Sequence, residues 1–233
     1  MDEKNQFKIF REVLLKFQSQ GVLQDIMLIG SWCLYFYRIE FGKSDQIQAV
    51  RTLDLDFLIP ANRKISKEID VPEILKQMGF IPTFNRSTSL IVYDHPDLRI
   101  EFLIPELGRG HNHPQTIEKL HIKAQGLRYL NLLADYPRIM SDGELYVKVP
   151  EPAIYALHKL IISTRRRNIA KRDKDLDTAV NLLDFLYTRP NEVNRMNSIL
   201  RTLPTKWVKT ILSVSEKHFP RLNETASAFE KKR

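Results

Sequence analysis

Two short segments constrain the fold of this chain more than any other feature: Leu28-Ile29-Gly30-Ser31-Trp32 and Arg51-Thr52-Leu53-Asp54-Leu55-Asp56-Phe57. In the second segment, Asp54 and Asp56 alternate with apolar residues. Because residues two apart on a β-strand point to the same side, both carboxylates are expected to project from one face while the apolar residues pack into a core. Mg²⁺ is usually held by one or two carboxylates together with substrate phosphates. The second segment therefore predicts a strand that binds a divalent cation.

A third carboxylate is expected on a second strand, Leu98-Arg99-Ile100-Glu101-Phe102-Leu103-Ile104-Pro105, where Glu101 interrupts an apolar run. An ionised glutamate in such a run is costly unless it is paired or binds a metal. The preceding run, 89–93, is joined to it through Asp94-His95-Pro96-Asp97, which favours a turn and predicts a hairpin. If this strand lies beside the Asp54 strand, three carboxylates converge, as in two-metal phosphoryl transfer.

Gly30-Ser31 lies between a strand-like run and a predicted helix. A helix N-terminus presents unpaired backbone N–H groups that can bind phosphate, and the serine hydroxyl adds another ligand. The alternative is a plain turn in which Ser31 caps the helix. Asp54 and Asp56 likewise have an alternative, as two solvent-facing acids on an edge strand. The combination with Glu101, in this order along the chain, favours the metal site.

This order of motifs, Gly-Ser before a helix, Asp-x-Asp on a strand and a single acid on a later strand, resembles the nucleotidyltransferase superfamily that includes DNA polymerase beta and the minimal nucleotidyltransferases. The resemblance covers roughly residues 25 to 105. It implies a mixed sheet flanked by helices. It also implies that Asp54, Asp56 and Glu101 bind Mg²⁺, or Mn²⁺ as an alternative, and that Gly30 and Ser31 hold the β and γ phosphates of an NTP. The interval from Ser31 to Asp54 is longer than in most minimal members, which predicts an extended helix and loop across 32–50.

A second resemblance lies in the C-terminal part, where Pro152 to Leu160 is followed by Arg165-Arg166-Arg167 and Lys171-Arg172-Asp173-Lys174-Asp175. This pattern is similar to the helical half of abortive-infection-type nucleotidyltransferases, which are toxins. The similarity implies that Lys159 contacts the triphosphate and that Asp173 or Asp175 acts as a positioning residue or base. It makes an antitoxin a candidate partner. The alternative for Lys159 is a solvated helix residue.

The predicted organisation is an α/β core with an N-terminal helix over 1–149 and a helical domain over 150–233. Apolar residues at helical spacing from Phe7 to Phe17 predict an amphipathic helix that Gly21 could end. The segment 117–133 is ambiguous, because it fits both the helix and the strand template in part. Further strands are predicted at 25–29, 52–59, 90–93, 98–104 and 146–149, and further helices at 32–41, 71–78, from Pro152, around 176–187 and around 207–214.

Composition gives wider bounds. The chain has 36 Lys and Arg against 28 Asp and Glu, a net charge of +8 that favours anionic partners such as an NTP, RNA or another polyphosphate. The basic run Arg165, Arg166, Arg167 and Arg172, with Asp173 and Asp175 among it, is interpreted as a surface for phosphate or the acceptor, although charge runs are usually solvated faces.

A single cysteine excludes an intramolecular disulfide framework. A charged N-terminus and the lack of an apolar run near 20 residues predict a cytoplasmic protein without a membrane span.

The function predicted from these features is Mg²⁺-dependent transfer of a nucleoside monophosphate from an NTP to an acceptor hydroxyl, with pyrophosphate leaving. The acceptor is an RNA, a protein or a small molecule. Lys159 is expected to face the carboxylates across a cleft. The rival interpretation is a catalytically silent module of the same fold that binds nucleic acid or a protein partner. The loop His111-Asn112-His113 has no cysteine partners, so a polar loop is favoured over a zinc site.

Overall fold

The computed structural model describes residues 3–47, 52–61, 64–85, 90–106 and 114–230. The His111–His113 loop and residues 48–50 of the predicted insertion at 32–50 lie outside these ranges. The chain divides into two compact units: residues 1–43 with 49–150, and residues 44–48 with 151–233.

The first unit combines helices and strands. The helices are α1 (Glu3–Gln20), α2 (Cys33–Glu40), α3 (Val71–Gln77) and α4 (Leu130–Ala134), with short 3-10 helices at Val22–Gln24 and Glu118–Leu120. The strands are β1 (Met27–Ile29), β2 (Asp54–Leu58), β3 (Ile81–Asn85), β4 (Leu90–His95), β5 (Leu98–Pro105), β6 (Gln115–Ile117), β7 (Ile122–Leu127), β8 (Pro137–Ser141) and β9 (Tyr146–Pro150).

These strands form a mixed sheet with the order β1-β2-β5-β4-β3, in which β7 also pairs with β5, and β6 pairs with β7. The central strands β2 and β5 are parallel, β1 is antiparallel to β2, and β4 is antiparallel to β5. The predicted hairpin across 94–97 is therefore confirmed. Strands β8 and β9 form a separate two-stranded sheet.

An aromatic core lies behind the sheet and fixes the segments that carry the predicted site. From α1, Phe10 stacks on Trp32 with ring centroids 3.9 Å apart, and Phe17 packs on Phe57 of β2 at 5.3 Å. Phe57 in turn stacks on Phe102 of β5 at 5.8 Å. Because buried aromatic pairs add to the free energy of burial, this chain of rings holds β2, β5 and the start of α2 in fixed positions.

The second unit is helical in its described part: α5 (Pro152–Ser163), α6 (Ile169–Tyr187), α7 (Pro190–Thr202), α8 (Thr205–His218) and α9 (Arg221–Glu230). Pro152 occupies the first turn of α5, as predicted, and α5 is buried over nearly its whole length. Asn168 caps α6 by accepting a hydrogen bond from the Lys171 backbone N–H at 3.0 Å. Within the described ranges, no helix is both long and apolar enough to cross a membrane.

The fold class is the predicted one, a mixed α/β sheet flanked by helices together with a helical part. The ambiguous segment 117–133 contains both elements, because β7 is followed by the short helix α4. The strands β3, β6 and β8 and the helices α7 and α9 are additions that the sequence patterns did not indicate. Most of β3 and part of β8 are exposed, so their residues carry only a weak apolar alternation.

Candidate active site

The predicted acidic residues lie on one face of the two central strands. In β2, Leu55 and Phe57 are fully buried, whereas Asp54 is exposed and Asp56 half-buried. The parallel register places Asp54 opposite Arg99 and Asp56 opposite Glu101. Residues opposite each other on neighbouring strands project from the same face, and neighbouring strands are about 4.8 Å apart. The β5 strand therefore lies beside β2, as the sequence predicted, and all three acids share one face.

Gly30 lies directly against the Asp56 side chain. Because β1 is antiparallel to β2 with Ile29 opposite Asp56, the turn after β1 passes over that carboxylate. A Cβ atom on Gly30 would come within 3.0 Å of Asp56 Oδ2 and lie 3.3 Å from its Cγ. Gly30 also has a φ of +75°, a conformation that favours glycine. The close approach therefore requires glycine at this position.

Ser31 does not act as the side-chain cap of α2. The residue before α2 is Trp32, which makes no side-chain cap hydrogen bond, while the Ser31 carbonyl accepts from the Leu34 backbone N–H at 3.1 Å. Among the described residues, the Ser31 hydroxyl has no hydrogen-bond partner. Ser31 therefore does not cap α2 with its side chain, which was the alternative interpretation of Gly30-Ser31. The hydroxyl remains available to a ligand beside Asp56.

Arg99 belongs to the same face and was missed by the sequence reasoning. Its Nε donates a 2.6 Å hydrogen bond to Asp94 Oδ1 on β4. That bond raises the pKa of Arg99, burial opposes the rise, and the charges of Asp94, Asp54 and Glu101 add to it. The period of two along β5 was the signal that could have found it, because Arg99 and Glu101 are two residues apart.

The chemistry of this face fits a hard divalent cation, since carboxylate oxygens are the ligands that Mg²⁺ prefers. The close packing of Gly30 on Asp56 keeps one of these carboxylates at a defined place on the face. In the part of the chain that the structure describes, however, no group of three or more His, Cys, Asp or Glu side chains is arranged to hold a metal ion. The backbone register brings the three acids to one face, and their assignment as metal ligands stays a prediction.

In the second unit, Lys159 is held by a buried carboxylate rather than pointing freely into solvent. Its Nζ donates a 2.6 Å hydrogen bond to Asp175 Oδ1, and Arg166 Nε donates to Asp175 Oδ2 at 2.8 Å. The Lys159 side chain is 14% exposed and the Asp175 side chain 5%. Lys159 Nζ also lies 5.6 Å from the ring centroid of Tyr155. The interpretation of Lys159 as a solvated helix residue is therefore wrong.

The two candidate acids of α6 have different environments. Burial alone would raise the pKa of Asp175, but Lys159 and Arg166 more than offset this and hold it below its ordinary value. A carboxylate that stays ionised between two cations suits a positioning residue better than a base. Asp173 is exposed and pairs with its neighbour Arg172 at 3.0 Å. The structure thus joins Asp175, Arg166 and Lys159, and leaves Asp173 outside this group.

The rest of the basic run faces solvent. Arg165 and Arg167 are exposed between α5 and α6, and neither forms an ion pair within the described residues.

Beside this run, His158 is buried and its Nε2 has no hydrogen-bond partner among the described residues. Burial, the largest cause, and the positive charges of Lys159 and Arg166 together lower the pKa of His158 to about 3, although the negative charge of Asp175 opposes them. His158 is therefore neutral at physiological pH.

Comparison with known protein families gives a match over most of the chain. A family model described as nucleotidyltransferase matches residues 9–199. The chain belongs to this nucleotidyltransferase family and is a nucleotidyltransferase. No curated protein matches the chain.

Among solved structures, the chain is similar to an antigenic nucleotidyltransferase-like protein from Paracoccidioides brasiliensis, with 15% identity over 92% of this chain and 93% of that one, and a TM-score of 0.45. It is similar to the antibiotic-resistance factor ANT(2'')-Ia at 9% identity over 99% and 94% of the two chains, with a TM-score of 0.39. A tRNA nucleotidyltransferase bound to a primer tRNA and an ATP analogue is 17% identical over 86% of this chain and 58% of that chain, with a TM-score of 0.24.

Proposed function

We propose that this protein transfers a nucleoside monophosphate from an NTP to an acceptor hydroxyl and releases pyrophosphate, with Mg²⁺ as its cofactor. The observation that supports this most is the common face of Asp54, Asp56 and Glu101, with Gly30 packed on the Asp56 carboxylate. Bound Mg²⁺ would neutralise charge on the phosphates and activate the attacking oxygen. Asp54 and Asp56 would hold the ions, and Glu101 would complete one ion site and accept the acceptor proton.

The remaining residues would bind and orient the triphosphate. The hydroxyl of Ser31 and the backbone of the Gly30 turn would hold the β and γ phosphates beside Asp56. Lys159 would offset phosphate charge, with Asp175 fixing the position of its ammonium group. Since Lys159 has three N–H donors and one is directed to Asp175, two remain for phosphate oxygens. Catalysis would depend on positioning and electrostatics, without a covalent intermediate.

The most direct test supplies each α-labelled NTP with Mg²⁺ and a cell extract and then identifies the molecule that carries the label. Asp54→Asn and Asp56→Asn should each abolish labelling while the fold is retained. Asp135→Asn is a control with the same chemical change at an exposed acid that follows α4, outside β2 and β5, and it should label normally. Near-normal labelling by Asp54→Asn or by Asp56→Asn would contradict the assignment of these residues as metal ligands. Mg²⁺-dependent NTP binding without any labelled product would favour the silent binding module.

A further inference from the structure

Charge is distributed very unevenly along this chain. Residues 1–150 contain 19 Lys and Arg and 19 Asp and Glu, whereas residues 151–233 contain 17 basic and nine acidic residues. The whole net charge of +8 therefore belongs to the part of the chain after residue 150. A concentration of one sign of charge attracts an extended polyanion to that part of the surface.

The second unit has a groove of about 560 Å³ where the end of α5 meets α8, and part of the excess positive charge lines it. Lys206 and Lys209 are exposed on its wall, and neither forms an ion pair within the described residues. No acidic side chain of the described residues lines it. Its polar lining consists of Thr164, Thr205, Lys206, Lys209, Thr210 and Ser213. The groove is thus cationic and rich in hydroxyl groups.

The hydroxyl groups indicate what kind of polyanion the groove fits. Thr164 Oγ1 donates to the Ile161 carbonyl at 2.8 Å, and Thr210 Oγ1 donates to the Lys206 carbonyl at 3.0 Å. Both oxygens can therefore only accept a hydrogen bond from a ligand. A phosphate oxygen cannot donate one, but a ribose 2′-hydroxyl can. The lysines can bind phosphates, and the threonine oxygens can accept hydrogen bonds from 2′-hydroxyls. Together they match an RNA backbone.

The groove also lies near the residue proposed to bind the triphosphate. Thr164 follows α5 five residues after Lys159, which corresponds to about 7.5 Å along a helix axis. Arg165 and Arg167, both exposed and without ion pairs among the described residues, come directly after Thr164. A strand bound along the Thr164 side of the groove would therefore pass close to Lys159.

We infer that this groove binds the backbone of a single-stranded RNA, and that the acceptor of the transfer reaction is a hydroxyl of that RNA. The inference rests on the proposed function for the chemistry of transfer. RNA binding itself depends only on the groove. The two can therefore be tested separately on the full-length chain.

The binding test uses fluorescence anisotropy of a labelled single-stranded RNA of about 20 nucleotides, titrated between about 50 and 200 mM KCl. Each phosphate contact to a single strand contributes a slope of about −0.7 in a plot of log K against log salt. Lys206→Gln and Lys209→Gln should each reduce the slope by about 0.7 and weaken binding roughly fivefold at 0.1 M salt. Lys217→Gln, an exposed lysine of α8 that does not line the groove, is the matched control and should leave the slope unchanged.

Several results would overturn the inference. The inference fails if the wild-type chain does not bind RNA, or if it binds DNA of the same sequence equally well. It also fails if Lys217→Gln weakens binding as much as Lys206→Gln, or if the chain binds anionic lipid vesicles in place of RNA. Mg²⁺-dependent NTP binding, measured in parallel, separates the two proposals. If NTP binds and RNA does not, only the RNA inference fails. If the wild-type chain binds no NTP, the proposed function fails whatever the RNA titration gives.

Discussion

Replacing Gly30 with alanine tests whether the turn after β1 positions the Asp56 carboxylate. The new Cβ would come within 3.0 Å of Asp56 Oδ2, a distance that real Cβ atoms essentially never show. The contacted atom is the end of a short side chain, so the carboxylate can rotate away while the backbone stays in place. We therefore expect Gly30→Ala to displace the proposed metal ligand without unfolding the protein.

Gly42→Ala is the matched control for this variant. Gly42 has a φ of +77°, almost the same as the +75° of Gly30, but nothing lies within 4 Å of its added Cβ. Both variants place alanine in the left-handed region, which costs about 1–2 kcal/mol. For a domain of this size that corresponds to a fall in Tm of roughly 2–8 °C. Only Gly30→Ala adds the displacement of Asp56.

The assay compares thermal unfolding with the rate of nucleotide transfer in both variants. A misplacement of about 1 Å in a catalytic site can lower the rate about 100-fold, so Gly30→Ala should lose about that much activity and Gly42→Ala very little. Mg²⁺-dependent NTP binding by calorimetry should weaken in the same order. The reasoning is refuted if Gly30→Ala keeps the wild-type rate, or if Gly42→Ala loses as much activity as Gly30→Ala.

Three further predictions concern the helical unit. Lys159→Ala should raise the KM for NTP, or lower kcat if the contact strengthens in the transition state; unchanged kinetics would exclude the triphosphate role. Asp175→Asn should shift the same parameters in the same direction as Lys159→Ala but by less, because the lysine remains and loses only its orientation; an unaltered KM and kcat would make Asp175 purely structural. His158 has a pKa below its ordinary value, so the unfolded chain binds more protons than the folded one as the pH falls from about 6.5 towards 3. The free energy of unfolding, measured in urea, should fall by up to about 1.4 kcal/mol per pH unit in that window, and His158→Leu should reduce this pH dependence. If the free energy of unfolding of His158→Leu falls as steeply with pH as that of the wild-type chain, His158 is not buried in its neutral form.

Short-range patterns were sufficient for much of the site. The alternation along β2 and β5 predicted that Leu55 and Phe57 are buried and that the three acids share a face, because side-chain direction in a strand follows from the backbone alone. Leu53, which the same alternation placed in the core, lies just before β2 and is 42% exposed. The turn residues between β4 and β5 predicted their hairpin for the same local reason. The helix starting at Pro152 followed from the fixed φ of proline. Short strands with a polar composition, such as β6, carry no such signal and were missed.

Contacts between distant parts of the chain were decided only in three dimensions. The parallel pairing of Asp56 with Glu101 depends on the crossover from β2 to β5, and the packing of Gly30 on Asp56 depends on the antiparallel pairing of β1 with β2. Lys159 meets Asp175 because α5 and α6 pack together, which makes the lysine a half-buried, oriented group and not a solvated one. The sequence alone thus determined the acids, the glycine turn and the family to which they point. Which groups touch was determined by the tertiary structure, because hydrogen bonds and packing between elements far apart in sequence leave no periodic pattern within either element.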